Sequence, residues 1–179
     1  RILRSGSSGP VEPGASPRAG FVVVFPDGYS RFPGGKFATW NAGGCCGNAR
    51  DRGIDDVGFV RALVARVQSQ VSIDGARVFA TGMSNGGMLA HRLACEAPDV
   101  FRAVAAVAGT DATSRCAPSR PASVLHIHAR NDTHVLFTGG AARRMPKPKL
   151  EENQLVLLEA WSNSSAVAAV PFAASATDT

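Results

Sequence analysis

RVFATGMSNGGMLAHRLAC, residues 77–95, is the stretch whose reading decides the fold. Arg77 to Thr81 brings Val78, Phe79 and Thr81 together in a short strand-forming run, and Gly82 punctuates it. From Gly86 to Cys95 the pattern is helical, with Met88, Leu89 and Leu93 apolar, and it ends before Pro98. Between the two stands Gly82-Met83-Ser84-Asn85-Gly86, and strand, G-x-S-x-G, helix is the order of a nucleophile elbow. So sharp a turn forces the serine backbone into a strained conformation, and glycines two before and two after leave room for it. The hydroxyl is then lifted to the carboxyl end of the sheet, and the first helical amides aim at a developing oxyanion. Ser84 is therefore the expected nucleophile and the backbone amide of Asn85 the expected oxyanion-hole donor. The competing reading is a serine in an ordinary turn.

Outward from this stretch, strand and helix patterns alternate. Gly20 to Pro26 is a continuous β-branched and aromatic run closed by Pro26-Asp27-Gly28, which reads as a strand covered on both faces. Residues 27–52 are rich in Gly, Asn and Cys around Trp40, a long loop of the kind that serves function or cross-linking. Asp55-Asp56 opens a helix with acids at the positive end of its dipole, and Val57, Phe59, Val60, Leu63, Val64 and Val67 form its apolar stripe. Phe101 to Ala108 and Ser123 to Ile127 are further strands, and Leu150 to Trp161 reads as a last helix. Alternation of this kind predicts an α/β fold with right-handed crossovers and a mostly parallel sheet. Residues 1–20 read as an irregular tail, 21–161 as the α/β unit, and 162–179 as a second tail of low information.

Composition narrows the function classes. With 179 residues, 45% hydrophobic and 18% charged, the chain has the makings of one packed core. Its net charge of +5 is scattered, and the densest group (Arg143, Arg144, Lys147, Lys149) lies among prolines with no interleaved aromatic residue. That is a solvated basic loop and not a nucleic-acid surface. No apolar run approaches the ~18 residues a membrane span requires. Cys45, Cys46, Cys95 and Cys116 have no C-x-x-C spacing, which argues against a zinc ribbon or a thioredoxin-like site. An even count points to disulfides and an oxidising, extracellular setting. Of the three possible pairings, Cys45 with Cys46 is disfavoured, because adjacent residues reach disulfide geometry only with strain. Free buried thiols are the alternative.

A serine nucleophile needs a base, and the base needs a carboxylate to fix its tautomer. Asp132 fits the acid, since it follows the strand Ser123–Ile127 closely and the order Ser, acid, His is that of this fold. An Asx turn that merely closes the loop is the competing role. The histidines fit less well. His91 lies seven residues after Ser84 on the same helix and points into the fold. His126 and His128 share one face of a strand, where packing or hydrogen bonding suits them better than metal ligation. His134 is in the acid loop, but two residues from Asp132 it is poorly placed for both to aim at one serine. No metal or other cofactor is implied.

Several ordered pieces resemble the polyhydroxybutyrate depolymerase family of esterases, relatives of feruloyl and acetylxylan esterases. They are GFVVVFPDG (20–28), WNAGGCCG (40–47), Asp55-Asp56-Val57, ATGMSNGGM (80–88), HRLAC (91–95), VAG (107–109) and VLHIH (124–128), followed by Asp132 and Gly139-Gly140. The resemblance implies an α/β-hydrolase fold, an acyl-serine mechanism with Ser84 as nucleophile and Asp132 as acid, an ester or polyester substrate, and cysteines at disulfide-forming positions. It also implies departures. The family's His-Gly turn, which supplies a second oxyanion amide, and its Gly-rich histidine motif have no counterpart here. Around Asp132, Thr133 and Leu136-Phe137 stand where the family favours proline and Pro-Tyr. The expectation is a hydrolase domain incomplete at both termini, marginally stable and slow or inactive as it stands. Feruloyl or acetylxylan ester hydrolysis is the enzymatic alternative, and a catalytically dead secreted binding protein the non-enzymatic one.

Overall fold

The computed structural model describes residues 14–16, 21–137 and 155–158. Two short strands, β1 (Gly14–Ser16) and β2 (Phe21–Val23), pair antiparallel with Gly14 opposite Val23. The long loop after β2 holds a bridge between Tyr29 and Thr39 and ends in the short helix α1 (Gly47–Asp51). Next come α2 (Asp56–Gln68), β3 (Phe79–Met83), α3 (Asn85–Glu96), β4 (Ala103–Val107), β5 (Ser123–Ala129) and β6 (Leu155–Leu158). The main sheet has the order β3-β4-β5-β6, with β3, β4 and β5 parallel and β6 antiparallel to β5.

The α/β expectation holds, and three of its details do not. The run at 20–26 is not a doubly covered parallel strand. Its Phe21–Val23 part pairs with residues that the sequence assigns to an irregular tail, Val22 and Val23 are only half-buried, and Phe25 is 76% exposed. A partner five to nine residues away along the chain offers local pairing that hydrophobicity alone does not reveal. The helix expected over 150–161 is a strand at Leu155–Leu158, paired with His126–Ala129. Four apolar residues suit either state, and the free edge of β5 decides it. Cys45 is bonded to Cys46, the pairing that the sequence disfavours, and Cys95 to Cys116. The basic group at 143–149, Gly139-Gly140 and the second tail lie outside the described residues.

α2 starts where the sequence directs. The Asp55 side chain caps it by accepting from the amide of Gly58 at 2.8 Å, and Asp56 occupies the first turn. Val57 and Val60 on α2 meet Leu89, Ala90, Leu93 and Ala94 on α3, and both groups pack with Val104, Val124, Ala97 and Phe101. Alternate residues of the strands face these helices, so Val104, Ala106, Val124 and His128 are buried. Phe79, Met83 and Leu125 on the opposite face are 61%, 71% and 42% exposed. Among the described residues the helices therefore cover one side of the sheet. No helix among them is long and apolar enough to cross a membrane.

The end of α3 away from Ser84 is firmly tied. Arg61 of α2 makes two 2.6 Å bonds to the Asp99 carboxylate, and Arg120 donates to the carbonyls of Pro98 and Asp99. The Cys95–Cys116 bond fastens the same end across a separation of 21 residues.

Candidate active site

Ser84 sits between β3 and α3 with φ 52° and ψ −120°, a conformation L-residues rarely adopt and that costs about 1–3 kcal/mol. Its neighbours hold it there. The Ser84 amide donates to the Val107 carbonyl at 2.8 Å, and the amide of Met88 donates to the Ser84 carbonyl at 3.0 Å. A Cβ on Gly82 would collide with the backbone of Gly86, while one on Gly86 would meet nothing within 4 Å. Gly82 is thus required by contact, and Gly86 lends its backbone as the surface that Gly82 touches. A third glycine has the same importance. A Cβ on Gly109 would run into the Ser84 carbonyl oxygen and stand 2.8 Å from the Met88 amide. The preceding Ala108 has φ 47°, so the exit from β4 is strained beside the elbow as well.

The serine is exposed, as access to its hydroxyl requires. Helix geometry leaves the amide of Asn85, the first residue of α3, without an intrahelical acceptor. The side chain of Asn85 is engaged elsewhere. It accepts from the Trp40 amide at 2.7 Å and donates to the Trp40 carbonyl at 2.9 Å. The rest of the 40–47 loop is held by equally specific contacts. The buried Asp56 carboxylate accepts from the Asn41 amide at 2.6 Å, Asn41 Nδ2 donates to the Ile54 carbonyl, and Arg92 donates to the Asn41 carbonyl at 2.7 Å. Burial raises the Asp56 pKa, against the bond from Asn41 and the charge of Arg92. The Trp40 ring stacks on Phe59 of α2 at 6.3 Å, and Cys46 Sγ lies 3.9 Å from Met88 Sδ. The loop is therefore docked onto the first two turns of α3, beside Ser84.

Asp132 follows β5 in the turn 132–135. Its Oδ1 accepts from the amides of His134 and Val135 at 2.8 and 3.0 Å, the Asx-turn geometry that the sequence offers as an alternative role. Its Oδ2 lies 3.4 Å from Nε2 of His128. Burial works against the carboxylate, but those two amides, with His128 and His134 nearby, leave its pKa below the ordinary value. His91, His126 and His128 are bonded in a row, His91 Nε2 to His126 Nδ1 at 3.2 Å and His126 Nε2 to His128 Nδ1 at 3.1 Å. The His128 side chain has no exposed surface. His134 is exposed, with its Nδ1 3.3 Å from Thr133 Oγ1.

The parallel register brings the sequence-predicted residues to one rim. β3 leads into Ser84, β4 into Gly109 and β5 into the Asp132 turn, all from the carboxyl ends of their strands. Hydrogen bonding of His126 and His128 on one strand face is as the sequence predicts, and what sequence reasoning missed is the rest of the support: Gly109, the Asn85–Trp40 clamp and the bond from His91 to His126. The run Val107-Ala108-Gly109 at a strand end is the one signal that marks the first of these.

A strained serine lifted between a parallel strand and a helix, at the carboxyl rim of a helix-backed sheet, is the architecture of an α/β-hydrolase. Residues 14–146 match the family described as Esterase PHB depolymerase, and the chain belongs to that family. It is 33% identical over 129 residues to feruloyl esterase B of Piromyces equi, covering 69% of this chain and 23% of that protein. It is 35% identical over 86 residues to feruloyl esterase C of Emericella nidulans, covering 48% and 32% respectively. Over 113 residues it is 27% identical to the bifunctional acetylxylan esterase/xylanase XynS20E of Neocallimastix patriciarum, covering 63% and 15%. The chain thus spans between about a sixth and a third of the length of these relatives.

Proposed function

We propose that this chain contributes the nucleophile and the acid of a serine esterase that cleaves carboxylic esters through an acyl-serine intermediate. The observation that carries the reading is the backbone of Ser84, held at φ 52° between β3 and α3 with its side chain exposed. Strain of this kind persists only where the surroundings enforce it, and here the backbone bonds to Val107 and from Met88 do so, with no room for a Cβ at Gly82 or Gly109. In the proposed reaction the Ser84 oxygen attacks the ester carbonyl, and the Asn85 amide donates to the oxyanion. The ester oxygen departs as the alcohol, and water then releases the acid and restores the serine. Asp132 orients the imidazole that moves the proton. In this reading that imidazole is none of the chain's four histidines, which the mutual bonds of His91, His126 and His128 and the contact of His134 Nδ1 with Thr133 support.

The names of the relatives favour feruloyl or acetylxylan esters as substrates, and the family description favours a polyester such as polyhydroxybutyrate. The proposed location is extracellular, supported by two disulfides among the described residues. Hydrolysis of a short-chain nitrophenyl ester tests the reading, with methyl ferulate, acetylated xylan and polyhydroxybutyrate compared as substrates. Turnover is expected to be slow without a base and to vanish in Ser84→Ala. Equal rates in parent and variant overturn the esterase reading for this chain.

A further inference from the structure

The row of histidines repeats one geometry. Nε2 of His91 on α3 faces Nδ1 of His126 on β5, and Nε2 of His126 faces Nδ1 of His128, at 3.2 and 3.1 Å. The rings are 5.3 and 5.2 Å apart with tilts of 41° and 39°, and the edge of the last rests against Phe137. The row ends in the acid loop, where His128 Nε2 lies 2.7 Å from the Val135 carbonyl oxygen and 3.4 Å from Asp132 Oδ2.

With neutral imidazoles, that last contact sets the direction of the row. A carbonyl only accepts, so His128 carries its hydrogen on Nε2. A neutral His128 then has a bare Nδ1, which must accept from Nε2 of His126. By the same step, His126 accepts from Nε2 of His91. All three N–H bonds point one way, from the helix that starts at Ser84 toward the turn that holds Asp132.

We propose that His91, His126 and His128 form a directional hydrogen-bonded strut and act as positioning residues for the Asp132 carboxylate. The proposal rests on the reading of Asp132 as the acid. The strut crosses from α3 through β5 to the turn 132–135, so it couples the elbow helix to the acid loop through buried or half-buried rings. It works with neutral imidazoles. A proton added to His126 would place N–H on both ring nitrogens, and the new Nδ1–H would meet the Nε2–H of His91 head-on.

Among the described residues, few charged or polar groups face the strut. Asp111 and the Gly109 backbone act on His91, and Asp132 faces His128 with His134 beside it. Gly109 and Asp111 favour protonation of His91, but burial has the larger effect and lowers its pKa. Burial, with its two neighbouring histidines, also lowers the pKa of His126 to about 4.

Nitrogen-15 NMR of the imidazoles in the full chain tests the proton assignment directly. Three neutral rings protonated on Nε2 are expected at pH 7. Any of the three protonated on Nδ1, or cationic, overturns the proposal. Removing the middle rung with His126→Phe should speed hydrogen exchange at the His134 and Val135 amides by about tenfold or more and raise the Asp132 pKa. His126→Gln, which keeps one donor and one acceptor, should restore both. Unchanged exchange and an unchanged Asp132 titration in a folded His126→Phe protein overturn the strut. Should that variant not fold, the tautomers of the parent protein still decide. None of these readouts depends on ester hydrolysis, so failure of the strut and failure of the esterase reading are distinguishable.

Discussion

The side chain of Asn85 meets both polar groups of the Trp40 backbone, accepting from its amide at 2.7 Å and donating to its carbonyl at 2.9 Å. One amide side chain thus imitates a rung of a β-ladder and pins the 40–47 loop to the helix that begins beside Ser84. Asn85→Asp keeps the shape but sets a carboxylate oxygen against the Trp40 carbonyl. It is expected to destabilise the fold by about 1–3 kcal/mol, read as a lower thermal midpoint. Asn85→Ala leaves the Trp40 amide unpaired, while its carbonyl keeps the bond from the Cys46 amide at 3.1 Å, and should cost about 1 kcal/mol or more. An unchanged midpoint in both variants would show that the loop is held by its other contacts.

Gly109→Ala is the sharpest test of the elbow. The added methyl would press first on the Ser84 carbonyl and the Met88 amide, both backbone groups of the elbow. Nitrophenyl ester hydrolysis should fall by about tenfold or more, as the displaced serine loses its alignment. Far-UV circular dichroism should remain close to that of the parent. Full activity in Gly109→Ala would mean that the exit from β4 does not position the serine.

Acid should destabilise the chain in a defined window. His126 has its pKa lowered to about 4, so as the pH falls below the ordinary histidine value near 6.5 the unfolded chain takes up a proton that the folded one refuses. Stability is therefore full above about pH 6.5 and declines down to about pH 4. A shift of this size is worth about 3 kcal/mol in isolation, and partial exposure reduces it to about 1–2 kcal/mol. The lowered pKa of Asp132 acts in the same sense at lower pH, while the raised pKa of Asp56 opposes it. Urea unfolding at stepped pH values checks this, and in His126→Gln the decline between pH 6.5 and 4 should flatten.

The Cys95–Cys116 bond closes a loop across a separation of 21 residues, for which chain entropy gives a stabilisation of about 3 kcal/mol. Cys95→Ser with Cys116→Ser should lower the midpoint of urea unfolding accordingly. Because this bond fastens the end of α3 away from Ser84, hydrolysis measured below the unfolding transition should change less than twofold or so.

The central part of the molecule was legible in the sequence because its local and global signals agree. Asp55 caps α2, and the apolar spacing of Met88, Leu89 and Leu93 follows the inner side of α3, where Leu89 and Leu93 are buried and Met88 half-buried. Gly82 before Ser84 is required by contact as the elbow pattern predicts, whereas a Cβ on Gly86 would meet open space. Legibility fails where a long-range partner decides. Nothing in Leu155–Leu158 says that its backbone pairs with β5, and nothing in Gly14–Ser16 announces a strand. The support of the site was hidden for the same reason. The mutual contacts of His91 and His126, 35 positions apart, and of Trp40 and Asn85, 45 apart, exist only once the sheet and helices are assembled. Cys45 and Cys46 mislead in the opposite way, since their proximity in sequence counted against the bond that they form.

Because β3, β4 and β5 run in one direction, the chain must cross back behind the sheet before it can bring another residue beside Ser84. Lengthening a connection near Pro98 or Arg120 would leave the reactive side as it is, whereas one extra residue after Val107 or Ala129 would shift Gly109 or the Asp132 turn at the rim that carries Ser84. Anyone redesigning this molecule should attach tags and linkers at the former end and seek altered selectivity at the latter.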